Sequence, residues 1–337
     1  MLRIADRVRE LTGIDADALP DDVLGSTQPL VLRGLAAGWP AVQAANASPG
    51  SAIDYLRRFD AGSTVAAMVG APDIGGRFFY NDDLSGFNFR MERPALREML
   101  DRLASHLDDA APPALYVGST TVDACLPGFR AANDFGMGAR DPLVSIWLGN
   151  RTRIAAHHDL PDNLACVVAG RRRFTLFPPE QVANLYVGPL DLTPAGQAIS
   201  LVDFAQPDLE RFPRFAQAVE HAQVAELEPG DAIFIPSMWW HHVEALDAFT
   251  VLVNYWWRQS PAYMDAPINA LMLALMTVRD LPPAQRAAWQ ALFRHYVFEA
   301  DADTAAHIPE PARRVLAPLD ETRTRELRAR LLKRINR

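Results

Sequence analysis

The sequence predicts a mainly β fold, a barrel or jelly roll with N-terminal α/β elements and a C-terminal helical region. Three observations carry this. Six short runs rich in β-branched and aromatic residues, 114–117, 144–148, 163–168, 173–177, 232–235 and 250–256, read as strands. Turn residues punctuate them at Ala169-Gly170, Pro178-Pro179 and Glu228-Pro229-Gly230-Asp231. From Pro261 onward the apolar spacing changes to the helical period.

In chain order, residues 2–24 carry apolar positions at helical spacing, and 29–34 reads as a strand ending at a glycine turn. A helix is expected at 52–59 and a β segment at 64–69. A helix follows at 94–106, with proline at its start. The six strand candidates come next, interrupted by an irregular insertion at 207–215. Helical spacing then runs through 264–278, 283–298 and 322–335. The expected organisation is a mixed N-terminal part of the catalytic unit (1–110), a jelly-roll core (111–260) and a helical region (261–337).

Composition narrows the class. The chain has 337 residues, 49% apolar and 22% charged, enough to bury a large core. A formal charge of -8 disfavours bulk nucleic-acid binding, although Arg171-Arg172-Arg173 has the charge to meet a single anion. Cys125 and Cys166 are too few for a disulfide framework or a thiolate zinc site, and read as small buried hydrophobes in a reducing compartment. The charged N-terminal stretch lacks the apolar core of a signal peptide, so a cytoplasmic location is expected. The longest apolar stretch, 266–278, falls short of the roughly 20 residues a bilayer span needs, and no membrane association is expected.

The chemistry is concentrated in His157-His158-Asp159 and, 82 residues after the aspartate, in Trp239-Trp240-His241-His242. Side chains alternate across a strand, so His157 and Asp159 share a face while His158 points away. A third ligand from a neighbouring strand completes a two-histidine, one-carboxylate metal site with open positions, the arrangement of non-haem oxygenases. Spacing does not choose between His241 and His242. The ligand types suit iron, manganese or zinc alike.

Further motifs carry a family resemblance. They include His157-His158-Asp159-Leu160-Pro161-Asp162-Asn163 and Gly170-Arg171-Arg172-Arg173-Phe174-Thr175-Leu176-Phe177-Pro178-Pro179. Val202-Asp203-Phe204, Pro207-Asp208-Leu209-Glu210-Arg211-Phe212-Pro213 and Pro229-Gly230-Asp231 through Trp239-Trp240-His241-His242 continue the series in order. Weaker similarity begins at Val31-Leu32-Arg33-Gly34 and Gly38-Trp39-Pro40. The sequence resembles the JmjC or cupin-like Fe(II)/2-oxoglutarate-dependent dioxygenases, nearest their factor-inhibiting-HIF asparaginyl hydroxylase branch.

That resemblance implies a double-stranded β-helix core, Fe(II) as metal, 2-oxoglutarate as cosubstrate and dioxygen as oxidant. It assigns His157, Asp159 and His241 as iron ligands. It places Arg172, where relatives usually have lysine, on the distal carboxylate of 2-oxoglutarate, with Tyr116 beside it. Asn163 and Asn254 match amides near the cosubstrate, and Trp256 an aromatic lining the pocket. The implied activity is hydroxylation of an unactivated C–H, with a protein side chain as first substrate and a small molecule, a glycan-linked compound or a modified RNA base open, the acidic balance disfavouring RNA slightly. In related hydroxylases the C-terminal helices pair two subunits, which implies a homodimer here.

Two departures bear on substrate. Ile154 replaces a threonine that touches the cosubstrate, and Ala198-Ile199 replace an Arg-Gln pair that holds the target side chain. The asparagine substrate is therefore not carried over. A zinc or manganese isomerase on the same scaffold and a non-catalytic binding module remain the alternatives.

Overall fold

The computed structural model describes residues 4–194 and 196–336. The chain divides into two compact units, Met1–Gln259 and Ser260–Arg337.

The first unit opens with strands β1 (Asp6–Arg7) and β2 (Arg9–Leu11), then helix α1 (Asp21–Leu24) and strand β3 (Leu30–Leu32). The helical reading of 2–24 is thereby corrected, while residues 2 and 3 lie outside the described residues. Val8 alone is buried among exposed Asp6, Arg7, Arg9 and Glu10, which leaves no helical apolar stripe, and Gly13 at φ +70° would break a helix running through it. Strand pairing decides the outcome, since β2 runs parallel to β3.

Helices α2 (Pro40–Ala47) and α3 (Pro49–Arg57) each start with proline, whose missing N–H costs nothing there. Only Ala41 and Val42 of α2 are buried, too weak a periodicity to reveal that helix beforehand. Strands β4 (Ala67–Gly70), β5 (Arg77–Phe78) and β6 (Phe89–Glu92) precede α4 (Leu96–Ser105), which buries Leu96, Met99, Leu100 and Leu103 on one face.

Next come β7 (Ala114–Thr121), α5 (Val122–Cys125), β8 (Leu143–Gly149), β9 (Arg153–His157), β10 (Asp162–Ala169) and β11 (Arg172–Phe177). After the insertion follow α6 (Phe215–Glu220), β12 (Gln223–Leu227), β13 (Ala232–Ile235), β14 (Trp240–Ala245) and β15 (Thr250–Trp257). All six expected central strands are present. The insertion expected at 207–215 is irregular up to the start of α6, and β12 escapes sequence reading because its Gln-Val-Ala-Glu-Leu run has little β-branched character.

The strands form a six-stranded sheet, β1-β12-β11-β14-β9-β5, and a nine-stranded sheet, β2-β3-β13-β10-β15-β8-β7-β4-β6. Their inner faces meet through Ala165, Val167, Ile233 and Leu252 on one side and Phe174, Leu176 and Val243 on the other. The outer face of the larger sheet presents Leu164, Cys166, Val251, Val253 and Tyr255 to Leu56, Leu96, Met99 and Leu100 of the helices. β10 is therefore buried on both faces, and each fully buried large apolar side chain contributes about 1.5–3 kcal/mol. Outside the smaller sheet, Phe177 and Trp240 are covered by Phe204, Phe212 and Phe215 of the segment between β11 and β12. The result is the mainly β, jelly-roll architecture with added helices.

The second unit contains α7 (Pro267–Thr277), α8 (Pro283–Phe293), extended by a π turn over Arg294–Phe298, and α9 (Glu321–Ile335). None of the three α-helices buries a residue. Among the described residues no helix is long and apolar enough to cross a membrane.

Candidate metal centre

β14 lies antiparallel to β9 with His241 opposite His157, and the register shifts before Val243. Their ring centroids are 4.3 Å apart. Asp159 approaches His241 Nε2 at 3.7 Å, and ligand atoms of His157, Asp159 and His241 all lie within 4.8 Å of one another. The aspartate is not on a strand as alternation suggests, because β9 ends at His157. A strap holds it instead. The Asp159 carbonyl accepts the Met238 N–H at 2.9 Å, and the Ser237 hydroxyl donates to the Leu160 carbonyl at 2.6 Å. The Asp162 carboxylate accepts the Ser237 N–H at 2.9 Å and the Gln259 amide at 2.7 Å. Sequence reading missed this role of Asp162; its place three residues after Asp159 was the available signal.

The histidines are set up as ligands. His157 Nδ1 donates to the Ala155 carbonyl at 2.9 Å and His241 Nδ1 to the Trp239 carbonyl at 3.0 Å, leaving each Nε2 lone pair free. Burial, with His157 as neighbour, pushes His241 down to about 4, so it is neutral at neutral pH despite Asp159. His242 faces the opposite side, stacked on Phe204 at 4.6 Å, and burial pushes it down to about 3. His158 also turns away, edge-on to Trp240 at 4.6 Å. Alternation along β14 thus resolves what spacing left open.

These residues end a cavity of about 410 Å³ between the sheets, whose lining includes His157, Asp159, His241, Tyr116, Asn163, Arg172, Asn254 and Trp256. Every candidate residue from the sequence is in that wall. Arg172 is 1% exposed, while Arg171 and Arg173 point outward to Asp247 and Glu226. Its Nη2 donates to Thr250 Oγ1 at 3.2 Å, and its buried Nε has no partner. Burial lowers its pKa from the ordinary guanidinium range, with Tyr116 opposing the shift. Burial pushes Tyr116 up to about 12 against the pull of Arg172, so the phenol stays protonated and can donate. A buried cation with an orphan donor, beside a phenol, fits a carboxylate.

The remaining lining is ordered by local contacts. Trp147 Nε1 donates to Asn254 Oδ1 at 2.8 Å, and Asn254 Nδ2 reaches Asn163 Oδ1 at 3.4 Å. Trp147 stacks on Tyr116 and meets Trp256 edge-on, both at 5.8 Å. Ile154 and Ile199 present apolar surface to the cavity. A larger depression of about 530 Å³ lies along Arg77 and Phe79, with Asp203 in its wall, and among the described residues it holds no group of metal-ligating residues.

Comparison with known proteins agrees with this geometry. HSPB1-associated protein 1 of Homo sapiens is 34% identical over 164 residues, covering 47% of this chain and 33% of that protein. Lysine-specific demethylase JMJ31 of Arabidopsis thaliana is 34% identical over 129 residues, covering 36% and 23%. The chain thus spans a third or less of the length of these two relatives. tRNA wybutosine-synthesizing protein 5 of Danio rerio is 27% identical over 283 residues, covering 74% of this chain and 75% of that protein. The Cupin-like domain family matches residues 16–263, which hold both sheets' site residues. The chain belongs to the cupin-like, JmjC-type family, which includes iron- and 2-oxoglutarate-dependent oxygenases.

Proposed function

We propose that this protein is an Fe(II)- and 2-oxoglutarate-dependent oxygenase that hydroxylates an unactivated C–H, with a protein side chain as first substrate. The observation that carries the reading is one cavity with a two-histidine, one-carboxylate cluster at one place in its wall and a buried, incompletely hydrogen-bonded arginine at another. The donor set fits iron: two imidazole nitrogens and one carboxylate leave positions open for cosubstrate and dioxygen. When bound, iron and 2-oxoglutarate supply the oxidising power.

The chain's own residues do the positioning. His157, Asp159 and His241 hold the metal, and their carbonyl partners and the Ser237–Asp162 strap fix their orientation. Arg172 and Tyr116 hold the distal carboxylate, which sets the keto acid end toward the metal. Ile154, Ile199 and Trp256 exclude water and keep the substrate carbon close. A second reading places the reacting carbon on a tRNA nucleoside. The wybutosine-synthesizing relative favours it, by matching about three quarters of both chains.

The test is succinate release from labelled 2-oxoglutarate by anaerobically iron-loaded protein on exposure to oxygen. Release that needs both His157 and Asp159 supports the oxygenase. Undiminished release by Asp159→Ala defeats the ligand assignment, and no release with another metal tightly bound turns the reading to an isomerase.

A further inference from the structure

Between β13 and β14 the chain makes a turn in which the Trp239 N–H donates to the Pro236 carbonyl at 3.2 Å. Its third residue, Met238, has φ +68°, the left-handed region that turns ordinarily fill with glycine because a Cβ there crowds the following carbonyl. Burial does not compensate, since the Met238 side chain is 38% exposed. A strained residue persists only where its surroundings over-determine it, and here the restraints are hydrogen bonds.

The same turn touches two of the three candidate metal ligands. The Met238 N–H donates to the Asp159 carbonyl at 2.9 Å, and the Trp239 carbonyl accepts His241 Nδ1 at 3.0 Å. A relaxed Met238, with φ negative, would reorient the preceding peptide and take its N–H away from Asp159. Ser237 pins the turn against that change. Its hydroxyl donates to the Leu160 carbonyl at 2.6 Å and its N–H to Asp162 Oδ1 at 2.9 Å. Asp162 is 4% exposed, and its other oxygen, Oδ2, accepts the Gln259 amide at 2.7 Å. Without that amide a buried carboxylate loses a donor, which favours its turning toward water and away from Ser237.

We propose that Gln259 is a positioning residue for the metal centre: through Asp162 and Ser237 it latches the strained 236–239 turn, and the turn keeps Asp159 and His241 together. The inference rests on the metal-centre reading above and adds to it a residue that touches none of the ligands.

The test is Mn(II) binding by the full chain without oxygen or cosubstrate, read from the electron paramagnetic resonance signal of free Mn(II). Gln259→Met keeps the side-chain length and removes the amide; it is expected to weaken Mn(II) binding about tenfold, as loss of an outer hydrogen-bond partner of a metal ligand does. Gln259 is exposed, so the urea midpoint of this variant should stay near that of wild type. Glycine adopts a positive φ without the Cβ contact, so Met238→Gly alone should stay within about threefold of wild type, and the Gln259→Met/Met238→Gly double variant should recover most of the lost affinity. A packing role for Gln259 would give no such rescue. Unchanged Mn(II) affinity in Gln259→Met overturns the proposal, as does a double variant that binds no more tightly than Gln259→Met. No Mn(II) binding by the wild type removes the metal-centre reading, and the proposal with it.

Discussion

Thr250→Val removes one buried hydroxyl that holds Arg172 from behind the cavity wall and changes little else in shape. That hydroxyl is 0% exposed; it donates to the Gly149 carbonyl at 3.2 Å, which leaves a lone pair to accept Arg172 Nη2 at 3.2 Å. Thr250 thereby aims the guanidinium so that its unpartnered Nε can serve a ligand. A hydrogen bond to a charged group contributes about 1.5–3 kcal/mol, and valine also leaves the buried Arg172 Nη2 without this acceptor. If most of that loss appears in cosubstrate binding, Kd for 2-oxoglutarate rises about 10- to 100-fold. Calorimetric titration of Mn(II)-loaded protein without oxygen reads this directly, apart from turnover. Thr250→Ser should bind within about threefold of wild type, because the oxygen is kept. An unchanged Kd in Thr250→Val would refute the role of Thr250 while leaving the oxygenase reading intact; no 2-oxoglutarate binding by the wild type would refute the reading itself.

Other expectations follow from burial, backbone and composition. Burial raises the Cys125 thiol to about 11 and Cys166 well above its usual value, so neither forms appreciable thiolate at pH 8; Ellman's reagent should find no reactive thiol in native protein and both after denaturation. A native thiol titrating near pH 8 would contradict that placement. Gly170 sits at φ +65°, and an added Cβ would lie 2.4 Å from the Phe249 carbonyl. Gly170→Ala should cost at least about 1–2 kcal/mol for the left-handed backbone alone, read as a lower urea midpoint. We also propose a homodimer through the C-terminal helices, where Leu271, Met276, Trp289 and Leu292 are exposed; a light-scattering mass of one chain removes that idea.

The parts of the site that follow strand alternation were legible in the sequence. Arg172 was singled out from three consecutive arginines by the family resemblance, and the structure supplies a physical reason: Arg172 points inward, while Arg171 and Arg173 face out to Asp247 and Glu226. The same rule separates His241 from His242 once β14 is placed, but spacing along the chain could not place it. Asp159 was picked out by its chemistry and does lie with His157 and His241, but its local structure was misread, since a loop tied by Asp162 and Ser237 supplies what the strand does not. The N-terminal segment misled because Val8 and its neighbours are compatible with helical spacing until the pairing of β1 and β2 is known. Charge was read as one number, which hides a formal -11 on residues 1–259 and +3 on residues 260–337.

The two ends of the proposed chemistry rest on different physics. The metal ligands come from β9, β14 and the loop after β9, so their mutual geometry is set by one strand pairing and one short strap. The carboxylate pocket draws Arg172 from β11 in the smaller sheet and Tyr116 and Asn254 from β7 and β15 in the larger one, with Thr250 of β15 behind Arg172. Its geometry therefore depends on how the two sheets pack, through Ala165, Val167, Phe174 and Leu252. A core substitution such as Val167→Ala should accordingly reach cosubstrate affinity before metal affinity, because it loosens sheet packing while leaving the β9–β14 ladder in place. Equal losses of both would mean that the sheets and the metal ligands move as one body.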